Sequence, residues 1–101
     1  MHSIRLRGSW VVTQLASATQ HQRNFGRPRT LDANERLWLV CDHIPGTAEV
    51  AVNGEVVATI LTPGPVAADI TKFLQPRNTV VFTVSSGDPL GEVVLEVRFV
   101  V

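Results

Sequence analysis

The sequence predicts an all-β fold, a sandwich of short antiparallel strands. Apolar residues recur at every second position in several short runs, as in Ile4-Arg5-Leu6-Arg7 and Val93 to Phe99. That period sends alternate side chains to opposite faces of a strand. Clusters of Gly, Pro, Asn and Asp punctuate the runs at the roughly 8–12-residue spacing of small sandwiches. No stretch of ordinary helix length carries a 3.6-residue apolar period. With 101 residues, 45% hydrophobic and 18% charged, the chain is expected to be one sandwich domain over residues 1–101 with one core.

The elements follow in order. Ile4 to Arg7 reads as a strand with one wet face, and Gly8 as a bulge or a close backbone approach. Trp10-Val11-Val12 resumes the apolar run. Residues 16–35 are polar and irregular, punctuated by Gly26 and Pro28, and read as a long loop or a weak edge strand around Phe25. Leu37-Trp38-Leu39-Val40-Cys41 is continuously apolar, the pattern of a strand covered on both faces. Glu49 to Ile60 forms a hairpin around Asn53-Gly54, a pair that tolerates the positive φ of a type I′ turn. A two-residue loop sets Val52 opposite Glu55 and Val50 opposite Val57. Pro63-Gly64-Pro65 ends the hairpin, and Asp69 or Thr71 is placed to cap a single helical turn through Leu74. Asn78 to Val84 is a strand with Val80, Phe82 and Val84 on one face. Glu92 to Val101 is the last strand, with Val93, Leu95, Val97 and Phe99 inward. The expected core is Leu6, Trp10, Leu37, Leu39, Val50, Val52, Phe82, Val84, Leu95, Val97 and Phe99, and both tryptophans are expected to fill it.

Composition narrows the function classes. No apolar run is long enough for a membrane helix. The N-terminus lacks the apolar centre of a signal peptide, so the expected location is cytoplasmic. One cysteine, Cys41, excludes an internal disulfide, and its apolar strand marks a buried, inert thiol. Six arginines against Asp32 and Glu35 give residues 1–36 a charge of +4, and residues 37–101 carry −4. Interleaved strands would mix these charges over the surface. Nucleic acid is not an expected partner, although the arginine- and amide-rich segment 21–29 has a composition that could also contact phosphate or RNA.

Four pieces of sequence, in order, carry a resemblance. They are Leu6-Arg7-Gly8-Ser9-Trp10, Arg36-Leu37-Trp38-Leu39-Val40, Ala48 to Glu55 with its Asn53-Gly54 turn, and Asp69-Ile70-Thr71 followed by Leu74, Pro76 and Asn78. Together they resemble the galactose-binding-domain-like jelly roll that is the sugar-binding domain of the β-galactosidase and β-glucuronidase family. The likeness spans most of the chain and implies a jelly-roll sandwich without the family's catalytic barrel. It differs in Thr62 to Ala68, where Val66 stands in place of an expected phenylalanine. Because the family's catalytic carboxylates belong to the barrel, the resemblance implies a non-enzymatic module with carbohydrate as its ligand.

The residues themselves offer one candidate surface. His21 to Arg29 combines arginines, amides and Phe25, groups that hydrogen-bond and stack on sugars. The candidate ligand-binding residues are Arg23, Phe25, Arg27 and Arg29, with Asp42 and His43 joining from a neighbouring strand end. Neither a catalytic residue, a metal site nor a cofactor is expected. The alternative is an assembly role, in which an apolar edge such as Val93-Val94-Leu95 pairs with a second copy or another protein.

Overall fold

A computed structural model of the chain describes residues 2–100. They contain strands β1 (His2–Arg5), β2 (Val11–Gln14), β3 (Thr19–Gly26), β4 (Glu35–Ile44), β5 (Ala48–Val52), β6 (Glu55–Ile60), β7 (Gly64–Asp69), β8 (Arg77–Val84) and β9 (Val93–Phe99). A single 3₁₀ turn, Thr71–Phe73, separates β7 from β8. The strands form two antiparallel sheets, ordered β1-β9-β4-β7 and β2-β3-β8-β5-β6. No helix among the described residues is long and apolar enough to cross a membrane.

The two sheets stack as a β-sandwich, as the alternation predicts. Leu37, Leu39, Cys41, Val93, Leu95 and Val97 from one sheet meet Val50, Val52, Val80, Phe82 and Val84 from the other, all at 4% exposure or less. The charge halves interleave: Arg5 and Arg7 both pair with Glu92, and Arg36 pairs with Asp69.

Several expectations are corrected. Residues 19–26 are an interior strand of the five-stranded sheet, between β2 and β8. Their inward positions hold Thr19, His21, Arg23 and Phe25, so the alternation is genuine but hardly apolar. Gly64–Asp69 is also a strand, paired with β4, despite Pro65; it is an edge strand, where a missing N–H costs least. Gly8 is no bulge. With Ser9 it adopts positive φ, 69° and 58°, and turns the chain from one sheet to the other. β4 is covered on one face only: Trp38 lies outside the core, with the Arg98 guanidinium 4.4 Å above its ring, a cation–π contact that shields it. The type I′ turn forms, with Asn53 and Gly54 at φ 52° and 83°, and Val52 pairs with Glu55. However, a bulge sets Val50 opposite Ala58 rather than Val57. Phe99 ends its strand where nothing covers it and is 63% exposed, while Trp10 is half-buried at the rim. β9 lies between β1 and β4, so Val93-Val94-Leu95 is not an edge. Val101, assigned to that strand from sequence, lies outside the described residues.

The segments that carry the resemblance act as fasteners. Asn53 Nδ2 donates to Phe73 O and Asn78 Oδ1, each at 2.9 Å, and its Oδ1 accepts the Thr79 N–H at 2.9 Å. Asn78 is 2% exposed. Its Oδ1 also accepts the Gln75 N–H, and its Nδ2 donates to Gln75 O and Phe25 O. The Asp69 carboxylate accepts from the Thr71 N–H and hydroxyl, and the Thr71 hydroxyl in turn accepts the Leu37 N–H at 2.7 Å. These side chains satisfy backbone groups that the irregular β7–β8 connection leaves without ladder partners.

Candidate functional site

The two sides of the sandwich differ. β6 and β7 lie against each other and close one side. On the other, β1 and β2 are edge strands of four residues each, joined only by the crossover through Gly8. There the sheets part around a cleft of about 470 Å³. Its walls are the crossover residues Leu6, Arg7 and Gly8, Trp10 and Val12 at the β2 edge, and Pro89 to Val93 leading into β9; His21 of β3 forms its inner lining.

Each wall is held by specific bonds. The Trp10 indole N–H donates to Leu6 O at 2.8 Å, closing the crossover on itself, and its ring lies 5.9 Å from that of Phe82 at a 58° tilt. The Arg23 guanidinium reaches across from β3 to Gly8 O at 2.9 Å and Arg7 O at 3.3 Å. On the opposite wall, Asp42 Oδ1 accepts the Glu92 N–H at 2.7 Å and His43 O accepts the Gly91 N–H at 2.8 Å. Gly91 is required there, because a Cβ would sit 1.8 Å from Asp42 Oδ1 and 2.7 Å from the His43 nitrogen. The Glu92 carboxylate leans on Arg5 and Arg7, at 3.2 and 3.1 Å.

His21 is the unusual member. It is 7% exposed, and its Nε2 is buried with no hydrogen-bond partner, alone in that respect among the described side chains. Burial lowers its pKa from the ordinary value, since desolvation disfavours the imidazolium. His21 thus lines the cleft with a neutral imidazole whose Nε2 is itself shielded from solvent. Buried polar atoms are normally satisfied within a fold, and an exception calls for an explanation.

The residues expected from sequence are dispersed. Arg23 and Asp42 support the cleft walls. Phe25 is 7% exposed and packs in the core, so its ring is not an open stacking platform. Arg27 donates to Leu74 O at 3.1 Å, and Arg29 pairs with Glu35 at the start of β4. Glu35 is buried, and the Arg29 guanidinium, helped by the Asp32 N–H, draws its pKa down to about 2. Asp42 lies seven positions farther along β4, about 23 Å away at ~3.3 Å per residue. Arg29 and Asp42 thus belong to opposite ends of the sandwich. The His43 side chain is exposed, and a register shift between Cys41 and Ile44 takes it off the face of Cys41. The buried Cys41 thiol has its pKa raised by desolvation. The sequence reading places Trp10 in the core and includes His21 in the 21–29 segment without naming it among the binding residues. The signal for His21 was a titratable residue at an inward position of an alternating strand, visible only once that strand is assigned.

No group of three or more His, Cys, Asp or Glu among the described residues is placed to hold a metal ion. No protein-family model matches the chain, and no curated protein matches it significantly. Solved structures do match. The β-D-glucuronidase of Dictyoglomus thermophilum superposes with a TM-score of 0.82 at 14% identity, over 96% of this chain and 28% of that one. The β-glucuronidase of Bifidobacterium dentium gives 0.59 at 27% identity, over 67% of this chain and 11% of that one. A glycosyl hydrolase family 2 member from Bacteroides cellulosilyticus gives 0.66 at 15% identity, over 82% and 12%. The fold is thus that of a β-sandwich portion of such glycosidases. The chain spans between a tenth and a third of the length of these three.

Proposed function

We propose that this chain is a non-catalytic carbohydrate-binding module whose ligand occupies the cleft between the Gly8 crossover and the Pro89–Glu92 segment. The observation that carries the reading is a concave, mostly apolar site lined by His21 and walled by a fixed indole. Small-ligand sites combine such an apolar concavity with a few convergent polar groups. The likeness to glycosidases supports carbohydrate as the ligand class. Glycoside hydrolysis calls for two carboxylates across the scissile bond. Glu92 is the one carboxylate lining this cleft, and it is committed to two arginines, which supports a binding role. Titration of the ¹⁵N-labelled chain with a glycan panel tests the proposal. Chemical-shift changes at Trp10, His21 and Gly91 are the expected result. An unresponsive cleft across the whole panel, with the fold intact, would overturn it.

A second reading, assembly, has its own observation. Val11 and Val12 on the β2 edge are 63% and 54% exposed, on a strand with one unpaired side. A concentration-independent monomer mass in sedimentation would remove it.

A further inference from the structure

We propose that two copies of this chain associate through their β2 strands, paired antiparallel across a two-fold axis beside Thr13, so that two five-stranded sheets merge into one of ten strands. The inference rests on the assembly reading above and gives it a partner and a register. The two sheets end in four edge strands, β1, β7, β2 and β6. An open edge offers unpaired N–H and C=O groups to any other strand, and proteins block it with charge, proline or cover. β1 carries Arg5. β7 carries Asp69 and Pro65, which lacks an N–H. β6 and β7 lie against each other. β2 has none of these defences among the described residues. Its sequence is Val-Val-Thr-Gln, all four residues are exposed, and residues 8–20 carry no charge. A second copy is the occupant that this lack of charge suits. A two-fold axis sets an interface against itself, so a charge beside the axis would meet its own like, and here there is none to meet.

The backbone decides which groups are on offer. The Leu15 N–H donates to Ala18 O at 2.8 Å, in the register that pairs β2 with β3. Bonded and non-bonded pairs alternate along an antiparallel ladder. Val11 and Thr13 therefore turn their backbone groups toward β3, and Val12 and Gln14 turn theirs to the open edge. A second β2 bonds all of these edge groups when Val12 stands opposite the second copy's Gln14. That register sets Thr13 opposite its own counterpart, as a non-bonded pair. It also sets Val11 opposite the second copy's Leu15, since the period of two puts residues 11, 13 and 15 on one face. Val11 is 63% and Leu15 46% exposed, so the exposed apolar side chains cover each other on both sides of the axis. A shift by two residues would set Val11 against Thr13 and leave Leu15 uncovered.

Sedimentation of the whole chain over a concentration series tests the pairing. The expected mass rises from 11.0 kDa to twice that, in the micromolar range that suits a small interface. Thr13→Lys and Thr13→Glu each stay monomeric, because the axis sets the new charge against its copy. Mixed in equal amounts they dimerise again, which misfolding of either would not allow. Thr59→Lys, at an exposed position on β6 of the same sheet, dimerises like the unmodified chain. With oxidised glutathione, Thr13→Cys closes a disulfide across the axis, since Cα atoms of a non-bonded pair lie about 4.5 Å apart. Val11→Cys does not, because four positions separate it from its counterpart, about 13 Å. In the unmodified chain the Val12 and Gln14 amides exchange with solvent more slowly as concentration rises, a readout that needs no variant to fold. A dimer that persists in Thr13→Lys and yields no Thr13→Cys disulfide would overturn the β2 pairing and leave the assembly reading standing. Equal cross-linking of Val11→Cys and Thr13→Cys would overturn the register. A monomer at every concentration would overturn both the pairing and the assembly reading.

Discussion

Replacing Asn78 with alanine tests whether the fasteners, rather than the strands alone, hold the β7–β8 connection. Asn78 is 2% exposed and bonds four groups: the Gln75 N–H, Asn53 Nδ2, Gln75 O and Phe25 O. In Asn78→Ala, Asn53 Nδ2 keeps its bond to Phe73 O, and Gln75 is exposed enough for water to replace part of its loss. Roughly two groups are then left unsatisfied, at ~1–3 kcal/mol each, so the loss is about 3 kcal/mol. Against a total of about 5–15 kcal/mol for a domain, that is a large fraction. At ~4–8 °C per kcal/mol the melting temperature falls by about 12–24 °C. Urea unfolding read by tryptophan fluorescence, with an unchanged m-value, gives the free-energy difference. Asn24→Ala serves as the control, because Asn24 accepts the Thr79 hydroxyl in an exposed pair and should change stability by less than ~0.5 kcal/mol. A loss below ~1 kcal/mol for Asn78→Ala would show that the connection is held by strand packing and that the network is incidental.

Three further outcomes are expected. Arg29 holds the Glu35 pKa at about 2, below its ordinary 4.5, so the ion pair contributes stability that is present above pH 4.5 and lost as pH falls toward 2. The urea midpoint should drop less steeply over that window in Glu35→Gln than in the unmodified chain, and equal slopes would refute the coupling. Gly91→Ala should cost about 1–3 kcal/mol, because its Cβ overlaps Asp42 Oδ1 and the His43 backbone. Gly87→Ala, whose Cβ meets nothing within 4 Å, should be close to neutral in the same chemical-denaturation series, and equal costs would remove the close-approach argument. Cys41, fully buried and with its pKa raised by desolvation, should react with a thiol reagent only as fast as the chain unfolds; fast labelling in native buffer would contradict the core placement.

The alternation of Val80, Phe82 and Val84 and of Val93, Leu95 and Val97 determined the sandwich. Their period of two allows each strand only one buried face, and the structure buries that face. The Asn53-Gly54 turn was equally plain, since positive φ at both positions leaves few alternatives. The motifs behind the family resemblance could be read for a related reason: they are local solutions to backbone hydrogen bonding, so they mark the fold whatever it binds. What the sequence alone left hidden were β7, whose Pro65 reads as a breaker, and β3. The inward face of β3 holds Thr19, His21 and Arg23, which fit no apolar pattern, and the burial of Thr19 and His21 depends on strands distant in sequence. The cleft depended on tertiary structure altogether. It brings together residues 6–12, 21 and 89–93, and nothing local to any of them reports that the sheets part at the β1–β2 side. Arg23, Phe25, Arg27 and Arg29 are neighbours in sequence, yet the fold commits them to a crossover carbonyl, the core, Leu74 O and Glu35. A strand points successive side chains to opposite faces and advances about 3.3 Å per residue, so adjacency along the chain does not make a site.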